Sequence, residues 1–153
     1  MSRATKAPVL RRSRTDDLCA VRQLLSAAGL PIDDVGPRLL QHFLIAELDD
    51  EIIGLVGLQV YDSKGLLRSL VVALNYRNAG LGERLIRALE SAAQAVGISE
   101  LWLLTIDAER FFARHGFNIV SRETVPEAIR KSAEFTELCA HSAHLMMKDL
   151  SAI

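Results

Sequence analysis

Arg77-Asn78-Ala79-Gly80-Leu81-Gly82 puts two glycines one residue apart, with an arginine three residues before the first. An apolar run precedes this stretch and a helical pattern follows it. A helix N-terminus exposes unpaired N–H groups and carries partial positive charge, so a phosphate is stabilised there. Gly80 and Gly82 leave the backbone open to close approach, and Arg77 can add a charge-assisted contact. Two familiar phosphate loops do not fit. A Walker A loop needs Gly-Lys-Ser/Thr, but Gly82 is followed by Glu83. A dinucleotide fingerprint needs a small residue at the position of Leu85. Two readings remain: a phosphate loop of a third kind, or a tight strand-to-helix turn with no ligand.

Arg68 is the second residue with chemical promise. It interrupts the apolar run Leu66-Leu67-Arg68-Ser69-Leu70-Val71-Val72. A charge in a central strand seldom serves packing. It either reaches solvent or an internal acid, or it points into a site where it clamps a carboxylate or similar oxyanion. No general base stands out; Glu47 and Glu123 are candidates acting through water. Cys19 and Cys139 lie far apart and in no metal-ligand spacing, so both are expected to be reduced and no metal is expected.

The bulk composition excludes several classes. The chain has 153 residues, half of them hydrophobic and 24% charged, which suits a globular domain with a real core. Eighteen basic against nineteen acidic residues give a net charge of −1, which argues against a nucleic-acid partner. No apolar run is long enough to cross a bilayer, and there is no secretory signal, so a cytoplasmic location is expected. Arg11, Arg12 and Arg14 read as a solvated strand edge.

The elements that must position these residues follow from periodicity. Residues 1–8 are expected to be a flexible start, and 9–153 a single domain. Val9 to Ser13 is a strand candidate. Thr15-Asp16-Asp17 supplies an N-cap and acidic first turn for a helix to about Ala28, with Leu18, Val21, Leu24 and Leu25 on its apolar face. A short helix from Pro37 to His42 precedes a hairpin of Phe43 to Leu48 and Ile52 to Tyr61, turning at Asp49-Asp50-Glu51. Leu66 to Ala73 reads as a central strand. A helix from Leu81 to about Val96 has the stripe Leu81, Leu85, Ala88, Leu89 and Ala92, and Gly97 ends it. Leu101 to Ile106, a helix over Asp107 to His115, Phe117 to Val120, a short helix from Pro126 to Lys131, and His144 to Leu150 complete an α+β chain. Its sheet is mixed and mostly antiparallel, with Leu66 to Ile106 forming a parallel crossover.

Arg-x-x-Gly-x-Gly between a strand and a long helix resembles the pyrophosphate loop of the GNAT acetyltransferases. Glu109 to Phe117, ERFFARHGF, is similar to that family's next helix with its closing Gly-Phe. The resemblance runs from Val9 to Leu150. It implies the GNAT fold, flanked by helices, with a splayed parallel strand pair holding acetyl-CoA as cosubstrate. Backbone groups of Val71 and Val72 would pair with the pantetheine arm. N–H groups of Asn78, Ala79, Gly80, Leu81 and Gly82 would hold the pyrophosphate, with Arg77 beside them. The thioester would sit between the strands at Val71 and Leu104, its carbonyl facing a backbone N–H. The amine would attack directly, with no covalent enzyme intermediate. Dimers are common in the family, so a homodimer is a further expectation.

One feature departs from the family. Many members carry a tyrosine as general acid at the position of Phe112, and phenylalanine donates no proton. Phe112 is expected to pack, beside the pantetheine. The missing base bears on the acceptor. An α-amine with pKa of about 8 costs roughly 1 kcal/mol to deprotonate at pH 7, a lysine of about 10.4 roughly 4–5 kcal/mol. The stretch Arg122 to Leu150 resembles a narrower branch: short amino-acid N-acetyltransferases of the glutamate type and GNAT proteins associated with arsenic resistance, the latter also through Leu66 to Ala73. An amino-acid-like acceptor is then expected, with Arg68 and Ser69 binding its acidic end and Arg130, Ser132, His141 and Ser142 nearby. The alternatives are a CoA-binding sensor without catalysis and a protein N-acetyltransferase.

Overall fold

The computed structural model describes residues 7–132, 135 and 143–151. Among the described residues the strands are β1 (Val9–Arg12), β2 (Phe43–Leu48), β3 (Glu51–Tyr61), β4 (Lys64–Val72), β5 (Glu100–Thr105), β6 (Asn118–Ile119) and β7 (His144–Asp149). The helices are α1 (Leu18–Ala27), α2 (Pro37–Leu40), α3 (Leu81–Ala95), α4 (Glu109–Arg114) and α5 (Glu127–Arg130). The strands form one sheet in the order β1-β2-β3-β4-β5-β7-β6. β1, β2 and β3 pair antiparallel in sequence, as do β5 with β7 and β7 with β6. β4 and β5 are parallel, the expected crossover. Their ladder has three pairs, Lys64↔Glu100, Gly65↔Leu101 and Leu66↔Trp102, although both strands run on past it.

The chain packs as two compact units, Met1–Gly57 with Ser69–Ala88, and Leu58–Arg68 with Leu89–Ile153. The core of the first joins Val21 and Leu25 of α1, Leu40 of α2, Phe43 and Ile45 of β2, Leu55 of β3 and Val71 of β4. Gly57 makes room for the Phe43 ring: a Cβ there would lie 2.5 Å from a ring carbon. The core of the second joins Leu66, Trp102, Val125, Ile129 and Leu145, with Tyr61, Leu104 and Phe135 packed against it.

Several local expectations shift. The β2–β3 turn is Asp49-Asp50, both at positive φ (51° and 63°), so Glu51 belongs to the strand. This is the mirror-image turn whose twist suits a two-residue hairpin. The start of α1 is organised differently. Thr15–Asp17 forms a 3₁₀ turn, and the Asp17 carboxylate accepts the N–H of Arg14 at 2.6 Å. Arg11 corrects the reading of a solvated strand edge. Its guanidinium is bound by Asp17 at 2.8 and 2.9 Å and by Glu47 at 3.1 Å, while Arg12 and Arg14 are exposed. The α2 helix stops at Leu40, short of His42. On α3 the buried positions are Leu81, Leu85, Ile86, Leu89 and Ala93, with Ala88 and Ala92 only half-buried. The stripe winds one residue further round because 3.6 residues per turn drifts over four turns.

Candidate functional site

The glycine loop joins β4 to α3 within the first unit. Val71 turns its side chain into the core, which leaves its backbone as the group it can offer a ligand. Ala73 closes the strand by donating its N–H to Ile53 O at 2.7 Å. A 3₁₀ turn, Leu74–Tyr76, follows. Arg77, Asn78, Ala79 and Gly80 are all exposed, with Asn78 at φ 64° and Gly80 at φ 82°. An added Cβ at Gly80 would meet nothing within 4 Å. This glycine therefore serves its left-handed backbone and leaves the loop's outer side open. The helical ladder begins with Arg84 N–H donating to Gly80 O at 3.1 Å. The N–H groups of Leu81, Gly82 and Glu83 come ahead of it, at the positive end of a 15-residue helix. Glu83, the one acid of this turn, is drawn back onto Arg87 at 2.8 Å.

Arg77 has a job the sequence did not announce. Its Nε donates to Val72 O at 2.8 Å, which ties the loop to the strand end expected to meet the pantetheine. Gly54 supports the same corner from β3. The β2–β3 register shifts between Ala46 and Glu47, which lie opposite Gly54 and Ile52. A Cβ on Gly54 would come within 3.2 Å of Val71 O and 3.3 Å of side-chain atoms of both Leu81 and Leu85. The bare backbone at Gly54 is what lets the first turn of α3 lie close on the sheet.

Leu104 and Phe112 belong to the second unit. Leu104 sits on β5 opposite Leu145 and packs on the Trp102 cluster. Thr105 Oγ1 accepts the N–H of Ala108, which starts α4. Phe112, 5% exposed, meets Phe117 edge to face at 5.6 Å and Phe111 at 5.3 Å. It is a packing residue, as expected. Of the two candidate bases, Glu47 is engaged by Arg11, and Glu123 is exposed with its backbone N–H on Ser121 Oγ.

Arg68 is 2% exposed in the middle of β4. It does not reach solvent. Its Nη1 donates to Gln59 Oε1 at 3.3 Å, and Gln59 Nε2 donates to Tyr61 Oη at 3.1 Å. Ser69 follows at φ 60°, an unusual backbone for a residue with a side chain inside a strand. Gln59 and Tyr61 were not singled out from the sequence. The available signal was polar residues at alternate positions of an otherwise apolar strand, next to a hairpin turn. Ser132 is buried and caps its own turn, donating to Ile129 O at 2.6 Å and accepting Phe135 N–H. Arg130 is exposed beside Glu127. His141, Ser142 and Cys139 lie outside the described residues. Cys19 is an exposed free thiol. Among the described residues no group of three or more His, Cys, Asp or Glu could hold a metal ion, and no helix is long and apolar enough to cross a membrane.

Residues 40–119 match the acetyltransferase (GNAT) domain family. The chain is 32% identical over 139 residues to the amino-acid acetyltransferase of Ralstonia nicotianae, covering 83% of this chain and 30% of that protein. It is 30% identical over 141 residues to the amino-acid acetyltransferase of Mycobacterium tuberculosis, covering 86% and 78%. Among solved structures, N-acetylglutamate synthase of Neisseria gonorrhoeae, complexed with coenzyme A and N-acetyl-glutamate, superposes with a TM-score of 0.82 at 23% identity. That superposition covers 95% of this chain and 36% of the other, so the chain spans about a third of the length of the Ralstonia and Neisseria proteins. Family match, relatives and strand order agree: the chain belongs to the GNAT acetyltransferase family.

Proposed function

We propose that this acetyltransferase takes acetyl-CoA as donor and a small, amino-acid-like amine with an anionic end as acceptor. The observation that carries the acceptor is Arg68, a guanidinium buried in a central strand and hydrogen-bonded to a neutral amide. A buried guanidinium presents a rigid fork suited to a carboxylate. The names of the Ralstonia and Mycobacterium relatives, and the N-acetyl-glutamate of the Neisseria structure, support the same class. For the donor, the loop Asn78 to Gly82 holds the pyrophosphate on the N–H groups ahead of the α3 ladder, and Val71 and Val72 offer their backbone to the pantetheine. The resemblance assigns Leu104 and Phe112 to the cofactor as well.

In the reaction the neutral amine attacks the thioester carbonyl carbon. A C–N bond forms, the C–S bond breaks, and coenzyme-A thiolate leaves. The ammonium proton passes to solvent or to the thiolate, which Phe112 cannot protonate. Coenzyme-A thiolate is a tolerable leaving group near neutral pH, so one missing acid does not stop turnover. An amino-acid-like arsenical is a second acceptor of the same shape, supported by the resemblance of Arg122 to Leu150 and Leu66 to Ala73. Phe112 also favours a rival, a CoA-binding sensor without turnover.

The test is free-thiol release from acetyl-CoA across amino acids, amino-acid-like arsenicals and a lysine peptide, with binding followed by thermal shift. Saturating acetyl-CoA at a hundredfold its Kd stabilises the fold by about 2.7 kcal/mol. Release with amino acids, and an acceptor KM raised about a hundredfold by Arg68→Ala with little change for acetyl-CoA, is the expected result. Stabilisation without release from any acceptor sinks the enzyme reading in favour of the sensor. Release with the peptide alone sinks the small-acceptor reading.

A further inference from the structure

Gln59 stands at the centre of a hydrogen-bond chain that the acceptor reading leaves unused. Arg68 Nη1 donates to its oxygen at 3.3 Å, and its nitrogen donates to Tyr61 Oη at 3.1 Å. Gln59 and Tyr61 are two residues apart on β3 and so share one face of the strand. Tyr61 packs against the cluster that contains Leu66, two residues before Arg68 on β4. The three polar side chains thus meet on one face of the second unit, beside an apolar floor.

An amide has one end that accepts and one that donates. Turning the Gln59 amide over would set its NH₂ against the guanidinium, so Arg68 selects one orientation. That orientation in turn makes Tyr61 Oη the acceptor. Tyr61 is the anchor, Gln59 the strut, and Arg68 the group that is aimed. The strut is neutral. It steers the guanidinium without contributing any charge of its own, whereas a carboxylate in its place would pair with Arg68 and compete with an incoming oxyanion.

We infer that Gln59 is a positioning residue that sets acceptor preference, aiming Arg68 at an oxyanion of the acceptor without neutralising it. The inference rests on the proposed role of Arg68 as the acceptor clamp.

Gln59→Glu keeps the shape and adds a charge; Gln59→Leu removes both hydrogen bonds and adds none. Steady-state thiol release is measured with L-glutamate and with its diamide, which has no carboxylate. For Gln59→Glu the glutamate KM rises about tenfold or more, the diamide KM changes less than about threefold, and the acetyl-CoA KM stays within about twofold. For Gln59→Leu the glutamate KM rises less than for Gln59→Glu, and glutamate remains preferred over the diamide. Equal effects of Gln59→Glu on the two acceptors, or none on either, overturn the inference. Thermal unfolding of each variant separates misfolding from mis-aiming. Should Gln59→Glu fail to fold, Gln59→Leu decides: an unchanged glutamate KM overturns the inference.

Failure of the parent reading looks different: the wild-type protein then releases thiol with no amino acid. The inference is in that case read by calorimetric titration of L-glutamate into the CoA-bound protein. Binding by wild type that Gln59→Glu loses sustains it. Equal binding, or binding by neither, overturns it.

Discussion

Gly54→Ala tests whether β3 supports the loop proposed to hold the pyrophosphate. The new Cβ would lie 3.2 Å from Val71 O and 3.3 Å from Leu81 Cδ2 and Leu85 Cδ1. Carbon atoms settle at about 3.5–4.0 Å, so the neighbours must yield by a few tenths of an ångström. The two leucine methyls can turn, but the carbonyl cannot. It belongs to β4, whose next-but-one residue is tied to β3 through Ala73 N–H and Ile53 O. The cheapest relief is to lift the first turn of α3, and with it the N–H groups of Leu81 and Gly82. Overpacking of this kind costs about 1–3 kcal/mol. At roughly 2–4 °C per kcal/mol for a chain of this size, Tm falls by about 2–12 °C. Charge-assisted hydrogen bonds to the pyrophosphate are worth about 1.5–3 kcal/mol each, so losing alignment of one raises the acetyl-CoA Kd about tenfold or more. Calorimetric titration of acetyl-CoA and a thermal melt read both quantities. Adding Leu81→Ala removes one clash, so the double variant loses less affinity than the two single effects summed. A Gly54→Ala protein with unchanged Kd, or a strictly additive double variant, would refute the support argument.

Two further predictions concern the ion pairs. Arg11 draws the Asp17 carboxyl below its usual range, although burial works against this. Its folded pKa is therefore below the unfolded value of about 3.9, and the stabilisation is present above that pH and lost as pH falls through the folded pKa. Asp17→Asn lowers unfolding free energy by about 1.5–3 kcal/mol at pH 7 and less below pH 4; urea titrations that fall in parallel for both proteins would contradict this. Lys148 Nζ holds Glu90 at 2.8 Å and His115 O at 2.9 Å, with the two charged side chains only 18% and 12% exposed. Lys148→Met strands the Glu90 carboxylate at a cost of about 3–5 kcal/mol, and adding Glu90→Gln recovers most of it in a denaturant melt.

Much of the fold was legible because it depends on local periodicity and punctuation. The two apolar runs of Phe43 to Tyr61 on either side of the acidic turn, the apolar run Leu66 to Val72 and the helical pattern after Leu81 each name their element without help from distant residues. Gly97 and Gly116 end their helices as expected, each with a following N–H returning to a carbonyl in the last turn. The open glycine loop before α3 was legible for the same reason: its two glycines, its arginine and its place between strand and helix are adjacent in the chain.

The sequence showed less where side chains meet only once the chain has turned. Arg11 looked solvated beside Arg12 and Arg14, because spacing alone does not show that Asp17, past the strand-to-helix turn, and Glu47 of β2 converge on it. That Arg77 also ties the loop to the end of β4 was not legible, because Val72 O meets its Nε only after the chain turns.

The sequence by itself determined which elements form and that an open glycine turn leads into α3, since backbone conformation and helix polarity are set by neighbouring residues. Only the tertiary structure decided that Gly54 seats α3 and that Arg68 is buried on a Gln59–Tyr61 relay. Strand pairing and side-chain burial join residues that no spacing connects.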